Sequence, residues 1–306
     1  MSSFAPLTRL PNHYRAAKFG DLIIWRFRTL PPSPPLFPSP IYLLPGLAAD
    51  EHLFAPLMAP GPAFIPGITV PRWIKPVCSS GQPESLESYA ARMADALFPN
   101  LPISTRTAQG QLSQGRFTVG GFCFGGMVAM EMAAHLASRY GRKADSVLLM
   151  CGVRSRFQFT IAFSVQQKLG ARVPGFLQRP LFVSYARFFA HKCNLSPAHT
   201  QLLVNMAKAN DPTFLKWCTR ACINWGLQSE QRLAEFKIPI FHIHGARDTV
   251  IPLPPQGQPQ PDVLLPDAGH LITFTHSNQV ADAIREQLKT CQDHSPIHRP
   301  LREKGY

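Results

Sequence analysis

The chain carries the hexapeptide Gly121-Phe122-Cys123-Phe124-Gly125-Gly126 between an apolar run and a segment rich in Ala, Met and Leu. No other stretch constrains the fold as strongly. It reads as a strand, a sharp turn and a helix, with a reactive side chain held out of the backbone at the corner. Gly121 and Gly125, two residues before and after Cys123, leave room where strand and helix pass close, and Gly126 adds more. A helix N-terminus also favours an anionic sulfur, because the helix dipole is positive there. Taken alone, Cys123 fits a buried thiol in a glycine-rich turn equally well, so a catalytic reading needs partners elsewhere in the chain.

Around that corner the sequence alternates short apolar runs with helical patterns. Strands are expected over 41–44, 69–73 (weakened by Pro71), 116–120, 146–151, 238–243 and 262–265, with helices over 84–97, 127–140 and 278–288. Such alternation predicts an α/β fold, a mostly parallel, doubly wound sheet covered on both faces. Residues 154–237 break the rhythm with helical patterns and no clear strand, which reads as an inserted helical cap. Its phenylalanines include Phe157, Phe159, Phe163, Phe176, Phe182, Phe188 and Phe189. Before the core, residues 31–40 hold six prolines. Residues 1–40 therefore read as a Pro-rich N-terminal extension with one short strand near 21–27, residues 41–153 and 238–290 as the core, and 291–306 as a flexible basic tail.

Two later strand ends supply the partners. The run Ile238-Pro239-Ile240-Phe241-His242-Ile243-His244-Gly245-Ala246-Arg247-Asp248 places Asp248 in a loop at the carboxyl end of the sheet, where open α/β sheets carry functional groups. His242 and His244 lie on the strand itself and read as packed structural residues. The run Leu264-Leu265-Pro266-Asp267-Ala268-Gly269-His270 presents His270, a natural proton carrier near neutral pH. Asp145 stands at the wrong end of its strand, and Asp267 is close enough to His270 to shape its loop instead. Asp248 is the expected acid.

Composition narrows the class further. Among the 306 residues, 45% are hydrophobic and 10% aromatic, which suits a folded chain. No apolar stretch nears the roughly 20 residues of a membrane span, and no secretory signal is evident, so a cytoplasmic location is expected. The seven cysteines are odd in number and scattered, as reduced thiols are. Cys218 and Cys222, downstream of His191 and Cys193, read as buried thiols on a helix face, and neither a metal nor a cofactor is expected. The net charge of +13 comes without a nucleic-acid motif, so no nucleic-acid partner is expected. Twelve Lys/Arg against three Asp/Glu lie between Val153 and Lys237, enough for a cationic rim near the site.

The order Cys123, Asp248, His270 resembles the nucleophile–acid–base order of the α/β-hydrolase superfamily, over residues 41–288. The resemblance implies an esterase or thioesterase using a Cys-His-Asp catalytic triad. The loop Leu44-Pro45-Gly46-Leu47-Ala48-Ala49-Asp50 is similar to the family's oxyanion loop, which implies the backbone N–H of Leu47, with that of Phe124, as oxyanion donors; Ala48 is an alternative. Cysteine at the elbow is similar to dienelactone hydrolases, and the Gly-x-Cys-x-Gly-Gly box to polyhydroxyalkanoate synthases, which transfer acyl groups from coenzyme A thioesters. The implied substrate is a small acyl ester or thioester, and an anionic carrier would suit the basic segment. Hydrolysis, transfer to another acceptor, and a non-catalytic descendant that kept the pocket all remain open at this level.

Overall fold

The computed structural model describes residues 14–19, 22–27, 39–79, 82–97, 105–106, 112–113, 116–159, 173–226 and 228–293. Eight strands form the main sheet: β1 (Tyr14–Phe19), β2 (Leu22–Phe27), β3 (Ile41–Leu44), β4 (Ile68–Pro71), β5 (Thr118–Phe122), β6 (Val147–Met150), β7 (Ile240–Gly245) and β8 (Val263–Leu265). Their order is β1-β2-β4-β3-β5-β6-β7-β8. From β4 through β8 every pair is parallel, while β1–β2 and β2–β4 are antiparallel. The expected doubly wound, mostly parallel sheet is present.

Side-chain alternation builds a core on each face. Tyr42, Leu44, Val119 and Val147 point to one side, against α1 (Leu86–Leu97) and α2 (Phe124–Tyr140). Ile41, Leu43, Phe122, Leu148 and Met150 point to the other, where Val280, Ala281 and Ile284 pack from a C-terminal helix, Ser277–Asp293. Burial on both faces explains the unbroken apolar runs of β3 and β6.

The reading of residues 1–40 as an extension outside the core is corrected at the hairpin. Tyr14 pairs with Phe27 and Phe19 with Leu22, and β2 then adds to β4 through Ile24↔Pro71 and Arg26↔Thr69. Backbone pairing to an open sheet edge overrides a flank that reads as proline-rich. Pro71 closes β4 rather than interrupting it. Residues 31–38 and 294–306, which hold most of the proline run and of the basic tail, lie outside the described residues.

Between β6 and β7 the described residues form α3 (Gly175–Lys192), α4 (Pro197–Ala209), α5 (Pro212–Asn224) and α6 (Ser229–Glu235). Two of these helices start where local chemistry demands. Ser196 and Asp211 accept from the N–H of His199 and Thr213, at 3.2 and 2.9 Å, and a proline follows each. The segment is fastened to the core by polar contacts. Trp217 Nε1 donates to Glu84 O at 2.8 Å, and buried Glu131 of α2 accepts from Trp225 Nε1 at 2.7 Å as well as pairing with Ser229 and Arg232. Among the described residues no helix is long and apolar enough to cross a membrane.

Candidate active site

β5 runs into Cys123, which caps α2 with φ 52° and ψ −117°, a conformation that L-residues adopt only under constraint. The glycines make that corner possible. A Cβ on Gly121 would overlap the backbone of Gly125, and one on Gly125 would overlap the carbonyl oxygens of Leu44 and Pro45. The helix start is therefore pressed against both the strand and the loop after β3. That loop carries Leu47, which lines the same cavity as Cys123 and Phe124. Phe124 is the first residue of α2, so its N–H has no acceptor within the helix.

Asp248 and His270 arrive from the loops after β7 and β8. His270 Nδ1 lies 2.7 Å from Asp248 Oδ2, both side chains nearly sealed from solvent. Asp248 Oδ1 accepts from the N–H of Val250 and Ile251 at 2.8 and 2.9 Å, which aims Oδ2 at the imidazole. Burial works to raise the Asp248 pKa, but His270 and the Ile251 amide outweigh it and hold the carboxyl below its ordinary range. For His270, burial lowers the pKa, yet the Asp248 carboxylate, with smaller help from the neighbouring sulfurs of Cys123 and Cys151, carries it well above the usual value. With Nδ1 taken by Asp248, Nε2 is the nitrogen left for Cys123. Phe122 packs edge-on to the ring, with centroids 4.8 Å apart. The three residues singled out in the sequence thus meet in one place. The discarded carboxylates do not: Asp145 pairs with Arg116 at 3.1 Å, and exposed Asp267 with Arg247 at 2.6 Å.

Two neighbours of the site have positions that the sequence reading did not connect to it. His244 is buried on β7, and one of its nitrogens, Nε2, lies 2.8 Å from Ile251 O and 3.5 Å from Asp248 Oδ2. A carbonyl only accepts, so Nε2 carries the proton and Nδ1 accepts from His242 Nε2 at 3.0 Å. Burial keeps both rings neutral, pushing His242 down to about 2. These packed histidines therefore also brace the loop that holds the acid. The second neighbour is Cys151, directly after β6. Its Sγ, a carboxylate oxygen of Asp248 and a ring nitrogen of His270 all lie within 4.8 Å of one another. Its position directly after a strand, like that of Cys123, was the available signal. Cys218 and Cys222 lie buried in the core, as thiols on an apolar helix face would.

Cys123 and His270 open onto a cavity of about 350 Å³, the size of a small-ligand pocket. Its walls are mostly apolar: Leu47, Phe122 and Met127 from the core, with Phe159, Phe182, Phe189, Leu203 and Leu215 from the segment between β6 and β7. Tyr185 also lines it and stacks on Phe189 at 5.6 Å. Lys216 and Thr249 add polar groups. Phe157, Phe176 and Phe188 are exposed instead, and Phe163 lies outside the described residues.

Residues 41–283 match the model of a family described as "Alpha/beta hydrolase family". None of the curated proteins matches the chain significantly by sequence. Among solved structures, a bromoperoxidase from Bacillus anthracis superposes with a TM-score of 0.64 at 16% identity, covering 90% of this chain and 99% of its own. An N-acyl homoserine lactonase complexed with N-hexanoyl homoserine gives 0.62 at 14% identity, covering 92% and 98%. A thermophilic esterase from Thermogutta terrifontis gives 0.58 at 16%, covering 91% and 98%. At these identities the likeness is one of fold.

Proposed function

The chain belongs to the alpha/beta hydrolase family, and on that premise we propose that it cleaves an ester or thioester through Cys123 and an acyl-cysteine intermediate. One observation carries the reading. A cysteine at a strained strand-to-helix corner and a buried His270, whose Nδ1 is held by Asp248, line the same apolar cavity. In this mechanism His270 Nε2 takes the Cys123 proton, giving a thiolate beside a protonated imidazole. The thiolate attacks the carbonyl carbon, and the N–H groups of Leu47 and Phe124 stabilise the oxyanion. His270 protonates the leaving alkoxide or thiolate, then draws a proton from water as it attacks the acyl-cysteine.

In this reading the helices between β6 and β7 act as a cap that shapes the acyl pocket, since they supply Phe182, Phe189, Leu203 and Leu215. Lys216 beside the cavity favours an anionic leaving group. Transfer to a non-water acceptor is the second reading, supported by the Gly121–Gly126 box and by how little polar surface the cavity offers to water. Intact-mass spectrometry of the wild type and Cys123→Ala, after exposure to acyl esters and thioesters of increasing length, tests the assignment. An acyl adduct on the wild type alone is expected. Turnover without any Cys123 adduct, or with Cys123→Ala fully active, overturns it. An adduct that persists in water and clears only with an added alcohol or thiol decides for transfer.

A further inference from the structure

The thiol of Cys123 has a close neighbour that the proposed reaction does not use. β5 and β6 run parallel in register, with Phe122 opposite Met150, and the Cys123 N–H donates to Met150 O at 2.8 Å. Adjacent strands are about 4.8 Å apart, which puts the next residues, Cys123 and Cys151, within the roughly 4.4–6.8 Å Cα separation that a disulfide spans. Both residues leave their strands with positive φ, 52° and 44°. Cys151 Sγ lies within 4.8 Å of a ring nitrogen of His270, and His270 lines the cavity together with Cys123. A left-handed cysteine outside the reacting set, wedged against that set, is strain that calls for a use.

We propose that Cys123 and Cys151 form a reversible disulfide when a hydroperoxide oxidises Cys123, so that Cys151 serves as the resolving thiol of the nucleophile. The inference rests on Cys123 being the reactive thiol of the proposed function. Accessibility sets the order of events, because Cys123 lines the cavity and Cys151 is fully buried. Burial also pushes the Cys151 thiol up to about 11, which keeps it protonated and inert until a partner is made electrophilic.

In the first step the Cys123 sulfur attacks the distal peroxide oxygen. An S–O bond forms, the O–O bond breaks, and an alcohol or water leaves, giving the sulfenic acid. In the second, the Cys151 sulfur attacks the Cys123 sulfur, the S–S bond forms and the S–O bond breaks. The departing hydroxide takes the Cys151 proton and leaves as water. Two thiols lose two electrons in all, and the peroxide gains them. A dithiol reductant restores both cysteines by thiol–disulfide exchange. While the bridge stands, neither nucleophile nor cavity can work.

The test uses the full chain treated with hydrogen peroxide, followed by thiol blocking and non-reducing peptide mapping. The wild type is expected to lose two hydrogens in mass, yield a Cys123–Cys151 cross-linked peptide, and return to its starting mass with dithiothreitol. In Cys151→Ala and Cys151→Ser, Cys123 is expected to gain two oxygens, a change the reductant does not reverse. Wild-type Cys123 that stays unmodified, that accumulates the two-oxygen product without the cross-link, or that bridges to another cysteine overturns the inference. Because mass is the readout, a bridged protein inactive on every acyl compound would sink the proposed function and leave this inference standing.

Discussion

Strands β5 and β6 lie side by side, each followed by a cysteine with positive φ, yet one cysteine faces a cavity and the other is sealed. The residue type and the local twist are shared. What differs is what comes next: after Cys123 the chain enters α2 past two glycines, whereas after Cys151 it passes Gly152 into the segment leading to α3. The helix pulls the backbone away from the sheet and opens one face of Cys123. Nothing does so for Cys151, whose thiol rests 3.9 Å from Gly269 O. Equal chemistry at two strand ends is made unequal by exposure.

The largest expected effect breaks the symmetry outright. Cys123→Ala should lower kcat/KM for the best acyl substrate by about 10⁶-fold, as loss of a nucleophile does. Cys151→Ala should cost less than about tenfold, because one thiol hydrogen bond is worth about 1 kcal/mol. Comparable losses in steady-state assays of the two would erase the distinction. Next in size is Asp248→Asn, expected to cost about 10⁴-fold in kcat by leaving His270 in the wrong tautomer, with little change in KM.

Stability should separate the same two strand ends. A Cβ on Gly125 overlaps the carbonyls of Leu44 and Pro45, whereas one on Gly152 overlaps the Leu149 side chain and meets backbone only at 3.5 Å, an ordinary contact with Cys123 O. Gly125→Ala is therefore expected to destabilise by about 3 kcal/mol, and Gly152→Ala by about 1 kcal/mol. Calorimetry should show the first lowering Tm by several degrees more than the second. Equal shifts would mean that the elbow has more slack than its geometry indicates.

The smallest effect concerns pH. The His270 pKa is raised in the folded state, so its stabilisation is complete below the ordinary value of 6.5 and fades as pH climbs through the raised value. The lowered Asp248 pKa adds a loss on the acid side, as pH falls below the ordinary 3.8 through the depressed value. Wild-type Tm should therefore decline with rising pH above about 6.5. In Asp248→Asn that decline should vanish and Tm should instead rise with pH toward 6.5, because burial, which disfavours imidazolium, is then the dominant influence. An unchanged slope would detach Asp248 from His270.

Much of this was readable along the chain. The elbow glycines and the apolar runs of β3 and β6 announce themselves because their causes are local. Asp248 and His270 were legible as loop residues after strands, and the fold brings both to Cys123. The strand near 21–27 was expected and is β2, but β1 and the pairing of β2 with β4 were missed, because the partner of β2 is an edge of the sheet far along the chain. His244 was read as packing, which it is, but its bond beside the acid loop depends on Ile251 curling back to meet it. Phe182 and Phe188, six residues apart on α3, look alike in sequence; one lines the cavity and the other is exposed.

The sequence by itself determined the parallel sheet and the glycine-flanked corner at residue 123, and it singled out Cys123, Asp248 and His270 as candidates. Each follows from steric and hydrogen-bonding rules that act within a few residues. Only the tertiary structure decided which cysteine meets the cavity, which phenylalanines line it, and that Cys151 stands beside His270. Exposure and proximity are set by what packs from far along the chain, and no local pattern records them.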